Sequence, residues 1–96
     1  MSDLNNKWYV YIIECEDKSF YTGSTTDIKR RFSEHKTGKG SKFIRARKAN
    51  KVVYLEEFDN KYDAFKRERE IKGFGRQKKQ ELIGLRQSDH SPIAQW

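Results

Sequence analysis

The sequence predicts one α+β domain: a small three-stranded antiparallel sheet flanked by helices, in the order ββαβαα. Three observations carry that expectation. At 96 residues the chain has room for one modest core. Hydrophobic residues are only 34% against 36% charged, and the mean hydropathy is −1.07. Aromatics at 14% offset that deficit, so a folded domain with an aromatic core is expected instead of a disordered chain. Short β-branched and aromatic runs also alternate with segments of helical periodicity. The expected domain covers residues 8–85, between polar ends at 1–7 and 86–96 read as flexible, with Trp96 able to dock.

The elements follow in order. Trp8-Tyr9-Val10-Tyr11-Ile12-Ile13 is a continuous apolar run bounded by polar residues, as for a strand buried on both faces. Alternation puts Trp8, Val10 and Ile12 on one face and Tyr9, Tyr11 and Ile13 on the other. Glu16 to Ser19 supplies a turn into Phe20-Tyr21-Thr22, a return strand ending at Gly23. Asp27 caps a helix from Ile28 to about Lys36, stopped by Thr37-Gly38. Gly38 to Asn50 lacks clear periodicity and reads as a basic loop with, at most, a short helical turn. Its Gly-Lys-Gly run lacks the spacing of a P-loop. Lys51 to Phe58 is the third strand, Asp59-Asn60 caps a helix from about Lys61 to Lys72, and Gly73-Phe74-Gly75 breaks it. A last helix from Arg76 to Leu85 is expected to close at Gly84.

The charge is uneven. The net +7 and pI near 9.6 favour a polyanionic partner. Met1 to Asp27 has two basic and five acidic residues, whereas Ile28 to Lys51 has ten basic and one acidic, so binding should centre on the second quarter. One cysteine, Cys15, allows no intrachain disulfide and reads as a small buried residue. No apolar stretch approaches a membrane span, and no signal-peptide pattern opens the chain, so a cytoplasmic location is expected.

Candidate chemistry starts with a misplaced carboxylate. Ala64, Phe65 and Ile71 define the apolar stripe of the penultimate helix, and Glu68 sits on it, while Glu70 projects about 140° from Phe65 on a 3.6-residue period. A carboxylate turned toward a core should pair with a base, such as Arg31, or bind a metal. Arg31 and His35 are four apart and stack beside the stripe made by Ile28 and Phe32. Phosphodiester hydrolysis needs a base, a cation at the phosphate and usually a carboxylate-held metal. His35 or a tyrosine could be the base, Arg31 the phosphate clamp and Glu68 the ligand.

The same residues give the chain its resemblance to a known family. Tyr9-Val10-Tyr11 and Tyr21-Thr22-Gly23, followed by Asp27-Ile28-x-x-Arg31-Phe32-x-x-His35 and Ala64-x-x-x-Glu68-x-x-Ile71-Lys72, resemble the GIY-YIG nuclease superfamily, specifically its small single-domain bacterial branch. The resemblance covers about Lys7 to Ile83. It implies a GIY-YIG-like fold and an endonuclease hydrolysing DNA phosphodiesters with Mg²⁺ or Mn²⁺, at low sequence specificity, in DNA repair or processing. On it Glu68 is the metal ligand, Arg31 contacts the scissile phosphate, and Tyr11 and Tyr21 are the motif tyrosines. Tyr11 is favoured as base with His35 as relay; Tyr21 stays open. Tyr9 replaces the motif glycine, Thr22 an aliphatic residue, and only Gln77 and Gln80 stand near the place of a frequent asparagine.

Substrate contact is expected from Lys39, Lys42, Arg45, Arg47 and Lys48. Such flexible cations hold a backbone without reading bases. Gly23 is expected to let the phosphate approach, Lys72 to touch phosphate or close its helix, and Phe43 to pack in the core in preference to stacking on a base. The working unit should be a monomer on single-stranded, duplex or branched DNA. The alternative is a nucleic-acid-binding module with little or no activity of its own.

Overall fold

The central strand, β1 (Trp8–Cys15), is the apolar run and two residues more. The computed structural model describes residues 7–39 and 42–87; the expectations for the rest of both tails and for Trp96 lie outside these. β2 (Phe20–Thr25), α1 (Ile28–Lys36), α2 (Lys42–Arg47), β3 (Ala49–Phe58), α3 (Lys61–Lys72) and α4 (Arg76–Gln87) follow. The sheet order is β2-β1-β3, antiparallel throughout, so β1 is central and both its faces are covered.

The expected alternation holds. Tyr11, Ile13 and Cys15 pack with Ile28, Ile44, Ala49 and Val52 on the α1/α2 face. Val10 and Ile12 pack with Ala64, Ile71 and Ile83 on the α3/α4 face. Full burial of such an aliphatic side chain contributes about 1.5–3 kcal/mol. A register shift between Ile12 and Ile13 opposite β3 lets the consecutive residues Val53 and Tyr54 both enter the second core.

Four expectations need correction. The loop from Gly38 to Asn50 contains the helix α2 and the start of β3, which makes the order ββααβαα. Ile44 is its one buried residue, too little to show as periodicity, and Lys48 leaves the helix at a φ of 61°. β2 runs through Gly23 to Thr25, because its pairing with β1 extends to Tyr9 opposite Thr25. Gly84 lies within α4, which ends two residues past the expected limit of the domain. At the other end the Lys7 Nζ lies 2.6 Å from the Asp59 carboxylate. Among the described residues no helix is long and apolar enough to cross a membrane.

Candidate active site

Helix α1 starts where expected, with the Asp27 carboxylate accepting a hydrogen bond from the Arg30 N–H at 3.1 Å. It places His35 against β1, only 1% exposed, with Nε2 3.1 Å from the Tyr11 hydroxyl oxygen. Burial pushes the imidazole down to about 4, helped by the Arg31 charge and opposed by Glu34, so the ring is neutral at neutral pH. His35 Nδ1 is buried without a hydrogen-bond partner among the described residues. Which group donates across the Tyr11–His35 contact follows from the tautomer.

Tyr11 is itself buried. Burial pushes its phenol up to about 12, against the pull of a hydrogen bond from Arg31, while Tyr21 and Glu68 act in the same direction as burial. Tyr21 presents its ring edge-on to His35 at 5.1 Å and lies 6.4 Å from the Tyr11 ring. Arg31, partly exposed, donates to Glu34 Oε1 at 3.0 Å. Tyr11, Tyr21, Arg31 and His35 thus form one cluster on the α1 face.

Gly23 sits opposite Tyr11 across the β1–β2 pair. A Cβ there would lie 2.5 Å from the Tyr11 Oη and 2.7 Å from its Cζ. The glycine is required by this close approach: the phenol occupies the space a side chain would fill.

The next residue along β2 serves the opposite face. Ser24 donates its hydroxyl to Glu68 Oε1 at 2.6 Å, and Lys72 sets its ammonium 2.9 Å from Glu68 Oε2. The carboxylate that the helical stripe pointed toward the core therefore stops at the sheet edge, its side chain 18% exposed. It pairs with Lys72, one turn away, and not with Arg31. Since β2 is an edge strand, the tyrosine cluster and the carboxylate meet over Gly23 and Ser24 from opposite faces, close enough for Glu68 to act on the Tyr11 hydroxyl.

This donor set fits a hard divalent cation. Among the described residues no three His, Cys, Asp or Glu gather into a closed cage. A single carboxylate at the sheet rim suits instead an ion that keeps its waters and takes its other ligands from phosphate, and such an ion would displace the Lys72 ammonium from Oε2.

Residues 7–81 match the GIY-YIG catalytic domain family. The chain belongs to the GIY-YIG family. A UPF0213 protein of Haloquadratum walsbyi is 49% identical to it over 82% of this chain and 89% of its own length. Another, from Staphylococcus saprophyticus, is 49% identical over 81% and 95%. The solution NMR structure of a UPF0213 protein from Bacillus halodurans is similar at 44% identity and a TM-score of 0.55, covering 82% of this chain and 84% of that one.

Of the five residues read from the sequence as catalytic, Tyr11, Tyr21, Arg31 and His35 gather on the α1 face, and Glu68 reaches Ser24 on β2 from the other. Of the expected substrate cations, Lys42 and Arg45 are exposed on α2, with Lys39 and Lys48 exposed beside the two short helices. Arg45 and Lys48 border a cavity of about 320 Å³ that also reaches His35. Arg47 is engaged, 2.8 Å from Asp17 and 4.6 Å over the Phe43 ring. Phe43 is 40% exposed and packs against Tyr21 at 5.9 Å, so it lies over the cluster and not in the core. Gln77 and Gln80 are exposed on α4. Sequence reasoning missed Ser24, for which a hydroxyl beside a motif glycine gave no signal.

Proposed function

We propose that this protein is a divalent-metal-dependent endonuclease that hydrolyses DNA phosphodiester bonds without reading base sequence, in DNA repair or processing. The meeting of the Tyr11–His35–Arg31 cluster with Glu68 over one glycine carries the reading. In the Nδ1–H tautomer a neutral imidazole offers Nε2 as acceptor, so a proton leaving the attacking water can pass to the Tyr11 oxygen as the phenol gives its own proton to His35 Nε2. A phenol held at about 12 makes a preformed tyrosinate scarce, which favours that coupled transfer. Arg31 presents its guanidinium to the charge that grows on the phosphate. Tyr21 holds the imidazole by its ring edge. Glu68 would hold the Mg²⁺ or Mn²⁺ ion, whose contribution is Lewis-acid stabilisation of phosphate charge. Ser24 fixes one carboxylate oxygen, and Lys72 yields the other to the ion. The cations of α2 and its flanks hold the backbone, and one chain supplies every group, which supports a monomeric working unit.

The test is cleavage of single-stranded, duplex and branched DNA, with an RNA control, in Mg²⁺, in Mn²⁺ and in EDTA. Cutting should need the metal and fall at least 100-fold in Glu68→Ala. Binding with no metal-dependent cutting of any substrate would reduce the protein to a binding module. Undiminished cutting by Glu68→Ala would move the activity to another site.

A further inference from the structure

A further open feature lies off the expected binding segment. A cavity of about 530 Å³ runs along α3, lined by Lys61, Tyr62, Phe65, Lys66 and Arg69. Tyr62 is 74% exposed and Phe65 46%. Phe65 is anchored edge-on against Trp8 at 5.3 Å, with the Lys61 ammonium 5.7 Å over its ring. The acidic residues of α3 are occupied: the Asp63 carboxylate accepts from Asn60 Nδ2, Glu70 from Arg67, and Glu68 from Ser24. Among the described residues Lys61, Lys66 and Arg69 have no carboxylate partner. Exposed rings between unpaired cations are the arrangement that takes unpaired nucleotides, with base faces on the aromatics and phosphates on the ammonium and guanidinium groups.

Geometry ties this surface to the carboxylate. Phe65 precedes Glu68 by three residues, so the two are neighbours on one helix face, and Tyr62 lies three residues further. Each step rises about 4.5 Å along the helix axis and turns about 60° around it, so the three side chains trace a shallow spiral. A strand seated at Glu68 would meet Phe65 and then Tyr62 within a few nucleotides.

We propose that the Tyr62–Phe65 face of α3, with Lys61, Lys66 and Arg69, binds an unpaired nucleic-acid segment continuous with the strand held at Glu68. The proposal rests on the nuclease reading for its substrate. It gives the protein a preference for junctions between duplex and single strand over blunt duplex.

Fluorescence anisotropy in EDTA tests it apart from catalysis. The probes are a blunt DNA hairpin, the same hairpin with a six-nucleotide tail at either end, and a hairpin with an abasic tail. One tail polarity should tighten binding about tenfold over the blunt hairpin, and the abasic tail should give much less. Tyr62→Ala should remove most of the gain while leaving blunt-hairpin binding and the circular dichroism spectrum unchanged. Lys66→Ala and Arg69→Ala should weaken intact and abasic tails alike. Equal binding of blunt and tailed hairpins, equal gain from the abasic tail, or an unaffected Tyr62→Ala overturns the proposal. Cutting in Mg²⁺ without any tail preference would sink the α3 surface and spare the nuclease. A Tyr62-dependent tail preference without cutting would do the reverse.

Discussion

The two faces of the sheet divide the site between them, and they differ in how each holds its charge. On the α1 face the polar groups are buried: His35 and Tyr11 share one contact inside a core of Ile13, Ile28 and Val52, and burial shifts both toward their neutral forms. On the α3 face Glu68 stays at the rim, where a hydroxyl and an ammonium compensate its charge. Proton handling suits a dry setting that keeps an imidazole neutral, whereas a metal ligand must stay charged and reachable. The single strand between them lets both conditions exist side by side.

Four experiments sharpen or break this division, in order of expected effect. Tyr11→Phe removes only the proton-bearing oxygen and should lower cutting by about 10²- to 10⁴-fold, with binding in EDTA unchanged. Activity within a factor of three of wild type would shift the base to Tyr21.

Acid unfolding probes the buried side next. His35 has a folded pKa of about 4 against an ordinary 6.5, so between those values the unfolded chain takes up the proton more readily. Its contribution is complete above pH 6.5 and is lost as the pH falls through 4, a change of about 3 kcal/mol. Urea denaturation at pH 7.5 and 4.5 should show that fall in wild type and a shallower one in His35→Gln. Parallel slopes would mean the imidazole is not held neutral.

Gly23→Ala attacks the boundary itself. A methyl group 2.5 Å from a buried hydroxyl forces the phenol aside, with a cost of about 1–3 kcal/mol and a loss of activity beyond that of stability. A crystal structure of the variant with an unmoved Tyr11 would contradict this. Ser24→Ala tests the other side and is the mildest. It removes one charge-assisted bond to Glu68 at a solvated rim, worth about 1 kcal/mol. It should raise the metal concentration needed for half-maximal cutting severalfold, without altering the pH profile set by His35.

Much of this arrangement was legible in sequence. The i, i+4 spacing of Arg31 and His35, the alternation along β1 and the intrusion of Glu68 on an apolar stripe are local patterns with fixed geometry. What escaped depends on partners distant in sequence. Helix α2 carries one buried residue in six, too little for periodicity to register. Phe65 shares the stripe of Ala64 and Ile71, yet those two are fully buried and it is not, because helical spacing cannot say where the sheet beneath runs out. The stripe likewise turned Glu68 inward, but its nearest cation, Lys72, was already on its own helix.

The hydrogen bond from Ser24 to Glu68 spans 44 residues, against 24 for Tyr11 and His35. Chains emerge from the ribosome N-terminus first, and distant contacts close later than near ones. Tyr11, His35 and Arg31 are therefore all synthesised before Glu68 exists to join them. A half-made copy holds only the α1 half of the proposed site.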